Sequence, residues 1–267
     1  MSIRSKVLAA AAALTVIAAP VAVGATSANA ATPSCGATCI DIFSKDFGTQ
    51  ASPQFVFDVL RQGEKIGQPV ILFRQSNSDP AEDFTIANEG SVSDFYTAGL
   101  VSPALALHYG CGWSLSQAKC STTINPATGH PYPNDYAFEV EYAPYGVDSG
   151  LCVGVGSPAA ANVKVALEPC GVSSATVLIA DTVDSCPSNP LYSAEVPAII
   201  GNDANFSHPF VLNYPAAGYP TDTPRPQLFV ANLNGFSQVG GPGPCGTGSI
   251  TGPNNNQLWS ADAGVLP

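Results

Sequence analysis

The chain has 267 residues, with nine Lys and Arg against twenty Asp and Glu, for a formal net charge of −11. A basic-poor chain repels phosphate backbones and anionic lipids, so nucleic acid and membrane surfaces are excluded as expected partners, and a soluble monomer is expected. Charged residues are only 11 % of the chain while Gly and Pro number 25 and 24. Good helix formers other than Ala are scarce, and Val, Thr, Tyr and Phe are common, which is the profile of short strands joined by many turns.

In chain order, Arg4 and Lys6 give a short basic start, residues 7–25 form a small apolar run, and Ala28-Asn29-Ala30 is a cleavage signal. Residues 1–30 therefore read as a secretory signal peptide of bacterial type, and the chain is expected to be secreted with Ala31 as its first residue. Pro20 interrupts the apolar run, which argues against an uncleaved anchor, and no cysteine at the cleavage point invites a lipid. Residues 31–53 form an N-terminal lead-in segment with one strand candidate, CIDIF at 39–43. Residues 54–267 are expected to form a single all-β domain.

Within that domain, Phe55, Phe57 and Val59 alternate with Val56 and Asp58, followed by a polar turn at 61–67, a strand at Val70–Phe73, a turn at 79–83 and a strand from Phe84. A helix competes at the first of these, because Ser52-Pro53 suits a helix start and Phe55, Val56, Val59 and Leu60 fall at helical spacing. Residues 96–110 offer one or two strands, 111–120 a loop closed by its two cysteines, and 136–146 a strongly alternating strand. Strand–turn–strand units follow at 152–184 and again at 198–232. A glycine-rich loop then leads to Gln257-Leu258-Trp259.

All eight cysteines follow the signal peptide: Cys35, Cys39, Cys111, Cys120, Cys152, Cys170, Cys186 and Cys245. An even number in an exported chain reads as a disulfide framework. Proximity suggests 35–39, 111–120 and 152–170, leaving 186–245. Cys35 and Cys39 lack the second half of a metal site, and no metal or other cofactor is expected.

The units repeat. Asp58 precedes Val70 by 12 residues, and Gly154 precedes Val165 by 11; Leu72 precedes Phe84 by 12, and Leu167 precedes Leu178 by 11. Gly201, Val211 and Phe229 continue the pattern, with a degenerate unit near Leu105–Leu107, so that the spacing counts about four units. The match to the Gly154 unit favours a strand over a helix at 54–60.

Cys152-Val153-Gly154-Val155, then Val165-Ala166-Leu167-Glu168-Pro169-Cys170, then Gln257-Leu258-Trp259 resemble the repeat of the ricin-type β-trefoil lectins, C-L-D-V, V-x-L-x-x-C and Q-x-W. Gln227-Leu228-Phe229 offers a second Q-x-W, and Glu82-Asp83-Phe84 and Thr176-Val177-Leu178 stand in its place elsewhere. The resemblance implies an all-β, β-trefoil-like fold with long loop insertions. It also implies a 152–170 disulfide. The alternative architecture is a two-sheet β-sandwich, since a trefoil needs three units.

The resemblance further implies sugar binding by an Asp of the first strand, an aromatic near V-x-L-x-x-C and an Asn before Q-x-W. A carboxylate accepts bonds from hydroxyls, and an aromatic face covers the apolar side of a sugar ring. Only the first unit keeps candidates: Asp58, Phe73 and Asn77. Their structural alternatives are a turn cap, a core side chain and a turn residue. Trp113, in its small loop, is a candidate binding anchor. No G-x-S-x-G or H-E-x-x-H motif is present, and Gly112-Trp113-Ser114-Leu115-Ser116 fails at its last position. The expectation is a non-catalytic protein that binds extracellular or cell-wall carbohydrate. The alternatives are a secreted hydrolase and a structural or inhibitory protein-binding protein.

Overall fold

The structure, a computed structural model, describes residues 39–44, 48–49, 52–76, 78–110, 135–156, 158–180, 196–205, 209–215, 227–234 and 255–261. Twelve strands carry the architecture, in three consecutive sets of four. The first set is β1 (Ile42–Ser44), β2 (Phe55–Val59), β3 (Val70–Arg74) and β4 (Phe84–Ser91). The second is β5 (Tyr136–Tyr142), β6 (Leu151–Gly154), β7 (Ala166–Pro169) and β8 (Leu178–Ala180). The third is β9 (Val196–Ile200), β10 (Phe210–Asn213), β11 (Phe229–Asn232) and β12 (Leu258–Ala261).

The first and last strands of the sets close into a ring. β4 pairs with β5, β5 with β8, β8 with β9, β9 with β12 and β12 with β1. The ring is completed between β1 and β4 where the Ile40 N–H donates to Phe84 O at 2.8 Å. The middle strands form three hairpins, β2·β3, β6·β7 and β10·β11, each springing from the first strand of its set. The hairpins meet one another in a cycle: Val70 N–H donates to Val165 O (3.2 Å), Val165 N–H to Leu228 O (3.0 Å) and Leu228 N–H to Val70 O (3.0 Å). A six-stranded barrel capped by three hairpins around a pseudo-threefold axis is a β-trefoil-like, all-β fold. The sheet closes on itself, so the sandwich alternative falls.

Three units are present, not four. The segment around Leu105–Leu107 is helical: α1 (Val92–Thr97) and α2 (Pro103–Tyr109) form between the first and second units. Ser91 accepts from Asp94 N while Asp94 accepts from Ser91 N, a reciprocal cap. Ser102 caps α2, with Pro103 at its first position. Val92, Phe95, Leu105, Ala106 and Tyr109 then cover the apolar residues Ala137, Ile179 and Ile199 of the barrel and Val211 of β10. The strands expected at 96–110 are absent because these caps and this apolar stripe both favour helix.

The alternation at 55–59 does form a strand. Phe57, Val59, Val70 and Leu72 enter the main core, as do the threefold counterparts of Leu72, which are Leu167 and Val230. Ile42–Ser44, inside the lead-in segment, supplies the barrel strand that pairs with β12. Trp259 is fully buried at the start of β12, with Phe57 at 5.1 Å and Tyr214 at 6.2 Å between ring centroids, and its Nε1–H donates to Leu212 O at 3.0 Å. Phe84 and Leu178 occupy the same place in the other units. Removing the indole leaves a cavity and an unpaired carbonyl. Trp259→Ala is expected to lower stability by about 3–5 kcal/mol, read from the urea midpoint against wild type.

Candidate functional site

Each hairpin has a core face and an outer face. In the first unit Asp58 is paired with Ile71 and Val56 with Phe73, so these four side chains share the outer face of β2·β3. Counting from the three-bond cycle makes Asp58 equivalent to Gly154 and Asn213, and Phe73 equivalent to Glu168 and Ala231. Glu82, Thr176 and Gln257 are likewise equivalent at the threshold of each fourth strand. The unit matches involving Asp58, Gly154, Glu82 and Thr176 agree with the sequence expectation. Gly201 does not: it lies just past β9, and the true counterpart of Asp58 in the third unit is Asn213. Gln227-Leu228-Phe229 also falls on the third strand of its unit, so only Gln257-Leu258-Trp259 is a Q-x-W in position.

The backbone N–H that follows each third strand turns inward and needs an acceptor. The three units meet this need differently. In the third, Gln257 accepts from Asn234 N (2.8 Å) and donates to Asn232 O (2.8 Å). In the second, where Thr176 is too short, Glu139 of β5 reaches across, accepting from Gly171 N (2.9 Å), Thr176 Oγ1 and Asn88 Nδ2. In the first, Glu82 accepts from Ser76 N at 2.7 Å through Oε2. Its other oxygen, Oε1, is buried without a hydrogen-bond partner. A carboxylate thus stands where the third unit has an amide, and the donor is missing.

Asp58 and Glu82 are each only 1 % exposed, and Asp79 is half-buried. One carboxylate oxygen from each lies within 4.8 Å of the others. Asp79 Oδ1 is oriented by Ala81 N (3.0 Å) and Gln62 Nε2 (3.0 Å). Asp41, buried beside them, accepts from Gln75 Nε2 at 3.1 Å. Burial is the main reason the Glu82 carboxyl is pushed up to about 9; the Ser76 bond opposes it, and Asp41, Asp58 and Asp79 add to it. The other two units carry no such concentration of charge. A Cβ on Gly154 would stand 2.7 Å from Ala175 O, so no side chain fits there. Asn213 accepts from Asn256 Nδ2 at 2.9 Å, a neutral pair. A cleft of about 270 Å³ opens at the second unit's version of this place, lined by Gly156, Ser173, Ser174, Ala175 and Asn202 among others.

Of the residues expected from sequence, Asp58 and Phe73 therefore come together on one face, Asp58 buried and Phe73 half-buried. Asn77 and Trp113 lie outside the described residues. Cys152 and Cys170 are disulfide-bonded, joining the ends of β6 and β7, and Cys39 is buried and also disulfide-bonded. Cys35, Cys111, Cys120, Cys186 and Cys245 lie outside the described residues. Asp79 and Glu82 were not expected as site residues. Their signal is Glu82-Asp83-Phe84 at the Q-x-W position, a carboxylate replacing an amide in a strand junction.

No protein-family model and no curated protein matches the chain. Among solved structures it is similar to a designed 3-fold symmetric protein, ThreeFoil, at 8 % identity and a TM-score of 0.45, covering 83 % of this chain and 96 % of that one. It is also similar to a mosquitocidal holotoxin at 8 % identity and a TM-score of 0.42, covering 83 % of this chain and 16 % of the toxin.

The raised Glu82 carboxyl gives the fold a pH signature. The folded chain keeps a proton that the unfolded chain releases above its usual value of 4.5, so this contribution is complete at acidic pH and fades as pH climbs towards about 9. In a chelating buffer, the melting temperature is expected to fall across that window. Glu82→Gln, which restores the amide arrangement of Gln257, is expected to flatten the fall and to melt about 3 °C or more above wild type at the alkaline end. Parallel slopes for the two proteins in scanning calorimetry would contradict this account.

Proposed function

We propose that the protein is exported and non-catalytic, and that it recognises carbohydrate through the outer face of its first hairpin. The observation that supports this reading is positional. Of the three equivalent hairpins, only β2·β3 pairs a carboxylate at the Asp58 position with an aromatic at the Phe73 position. The second unit has glycine and glutamate there, and the third has asparagine and alanine. Phe73 supplies a flat apolar face for the C–H side of a sugar ring. Asp79, the more accessible carboxylate, accepts hydroxyl hydrogen bonds at the rim. Asp58 is too deeply buried to meet a sugar directly and acts from behind, adding negative charge beside Glu82. Export rests on residues 1–30, and the disulfide across β6 and β7 suits an oxidising exterior.

Binding to soluble glycans and to insoluble cell-wall polysaccharide is measured with wild type, Phe73→Ala and Asp79→Asn. Wild type is expected to bind at least one glycan, and Phe73→Ala to bind it about tenfold more weakly, the loss of one aromatic–ring contact. A folded wild type that binds nothing on either panel, or binding that Phe73→Ala leaves intact, refutes the reading.

A further inference from the structure

The threefold repeat provides an internal control for the acidic cluster. Where the third unit places an amide nitrogen of Gln257 donating to Asn232 O, the first unit places Glu82 Oε1, an acceptor with no hydrogen-bond partner in a side chain 99 % buried. One carboxylate oxygen of Glu82 lies within 4.8 Å of one from Asp58 and one from Asp79. A positive charge, whether a proton or a metal ion, belongs where the missing donor would be. The carboxylates converge, and the Asp79 carboxylate is held in orientation by Ala81 N and Gln62 Nε2.

We propose that Asp58, Asp79 and Glu82 form a binding site for one hard divalent cation, of the size of calcium. Calcium–oxygen bonds of about 2.3–2.6 Å place ligand oxygens up to about 5 Å apart, which matches the spread of these three. Magnesium, at about 2.0–2.1 Å, needs a tighter octahedron and more retained water. The ligand set is oxygen alone, which disfavours soft transition metals. Asp58 and Glu82 form the floor, and half-buried Asp79 forms the lip by which the ion enters and through which water completes its coordination. The site is single. Gly154 and Thr176 in the second unit, and Asn213 and Gln257 in the third, put no carboxylate at the equivalent positions. With only three carboxylates and an open side, the affinity belongs to the weak range of extracellular modules, a Kd on the order of 10⁻⁴–10⁻³ M.

The proposal goes beyond the carbohydrate reading and is tested without any glycan, so each can fail alone. The full secreted chain is stripped with chelator, and calcium is titrated by calorimetry and by thermal melting. One ion per chain is expected, with a melting temperature that climbs and saturates by about 10 mM calcium and a smaller response to magnesium. Asp79→Asn, at a half-exposed position, is expected to weaken calcium at least tenfold while keeping the fold. Glu82→Gln is expected to abolish the calcium response while melting no lower than metal-free wild type, which a merely structural role for Glu82 would not produce. A wild-type melting temperature unmoved by calcium overturns the proposal, as does a calcium response of equal size in both variants.

Discussion

Three backbone hydrogen bonds hold this molecule's plan together. Val70, Val165 and Leu228 each donate to the next and accept from the last, so the tips of three hairpins satisfy one another at the centre of a buried cap. Each bond is modest alone, worth about 1 kcal/mol net. Their geometric consequence is larger, because a cycle of three fixes the register of every hairpin relative to the axis. All other positional statements follow from that register: which residues face the core, which face outward, and which are counterparts across units.

Symmetry of backbone has not brought symmetry of chemistry. The same inward N–H after the third strand is met by a glutamine, by a glutamate borrowed from a neighbouring barrel strand, and by a glutamate at the glutamine's own position. The borrowed Glu139 is fully engaged by Gly171, Thr176 and Asn88. Glu82 is not, because its second oxygen inherits a place built for a donor. Nearby Asp41, Asp58 and Asp79 then raise the electrostatic cost of ionising it. One atom's change, nitrogen to oxygen, converts a strand junction into a buried acidic spot with an unsatisfied oxygen.

Much of the barrel was legible in the sequence because period-two alternation survives wherever one strand face is buried. Phe57, Val59, Val70 and Leu72 announce themselves in this way, as do Val153, Val155, Val165 and Leu167. Gln257-Leu258-Trp259 marked a fourth-strand start for a packing reason: the large ring fills the barrel and the amide closes the hairpin. The unit count went astray where insertions intervene. The long spacing from the first unit to the second is taken up by two short helices, capped by Ser91 and Ser102, where the sequence pattern suggests strands and a degenerate unit. The third unit slipped by an element because Gly201 resembles Gly154 in type, while its counterpart Asn213 is a different residue. The acidic cluster was legible only in part. Asp58 stood out by position, but that Asp79 and Glu82 converge on it depends on how the 75–83 loop folds over β2, which no local pattern reveals.

The seam between β1 and β12 has a consequence for how the chain comes to exist. Residues 42–44 pair on one side with nearby β2 but on the other only with 259–261, the most distant strand in sequence among the described residues. β1 therefore keeps one edge open until Trp259 and its strand have docked. Until then Phe43 and Phe57 are shielded incompletely, and the first unit must wait, half-assembled, for the final stave. Such distant pairing predisposes to slow assembly, and it makes β12 the stave whose docking completes the barrel.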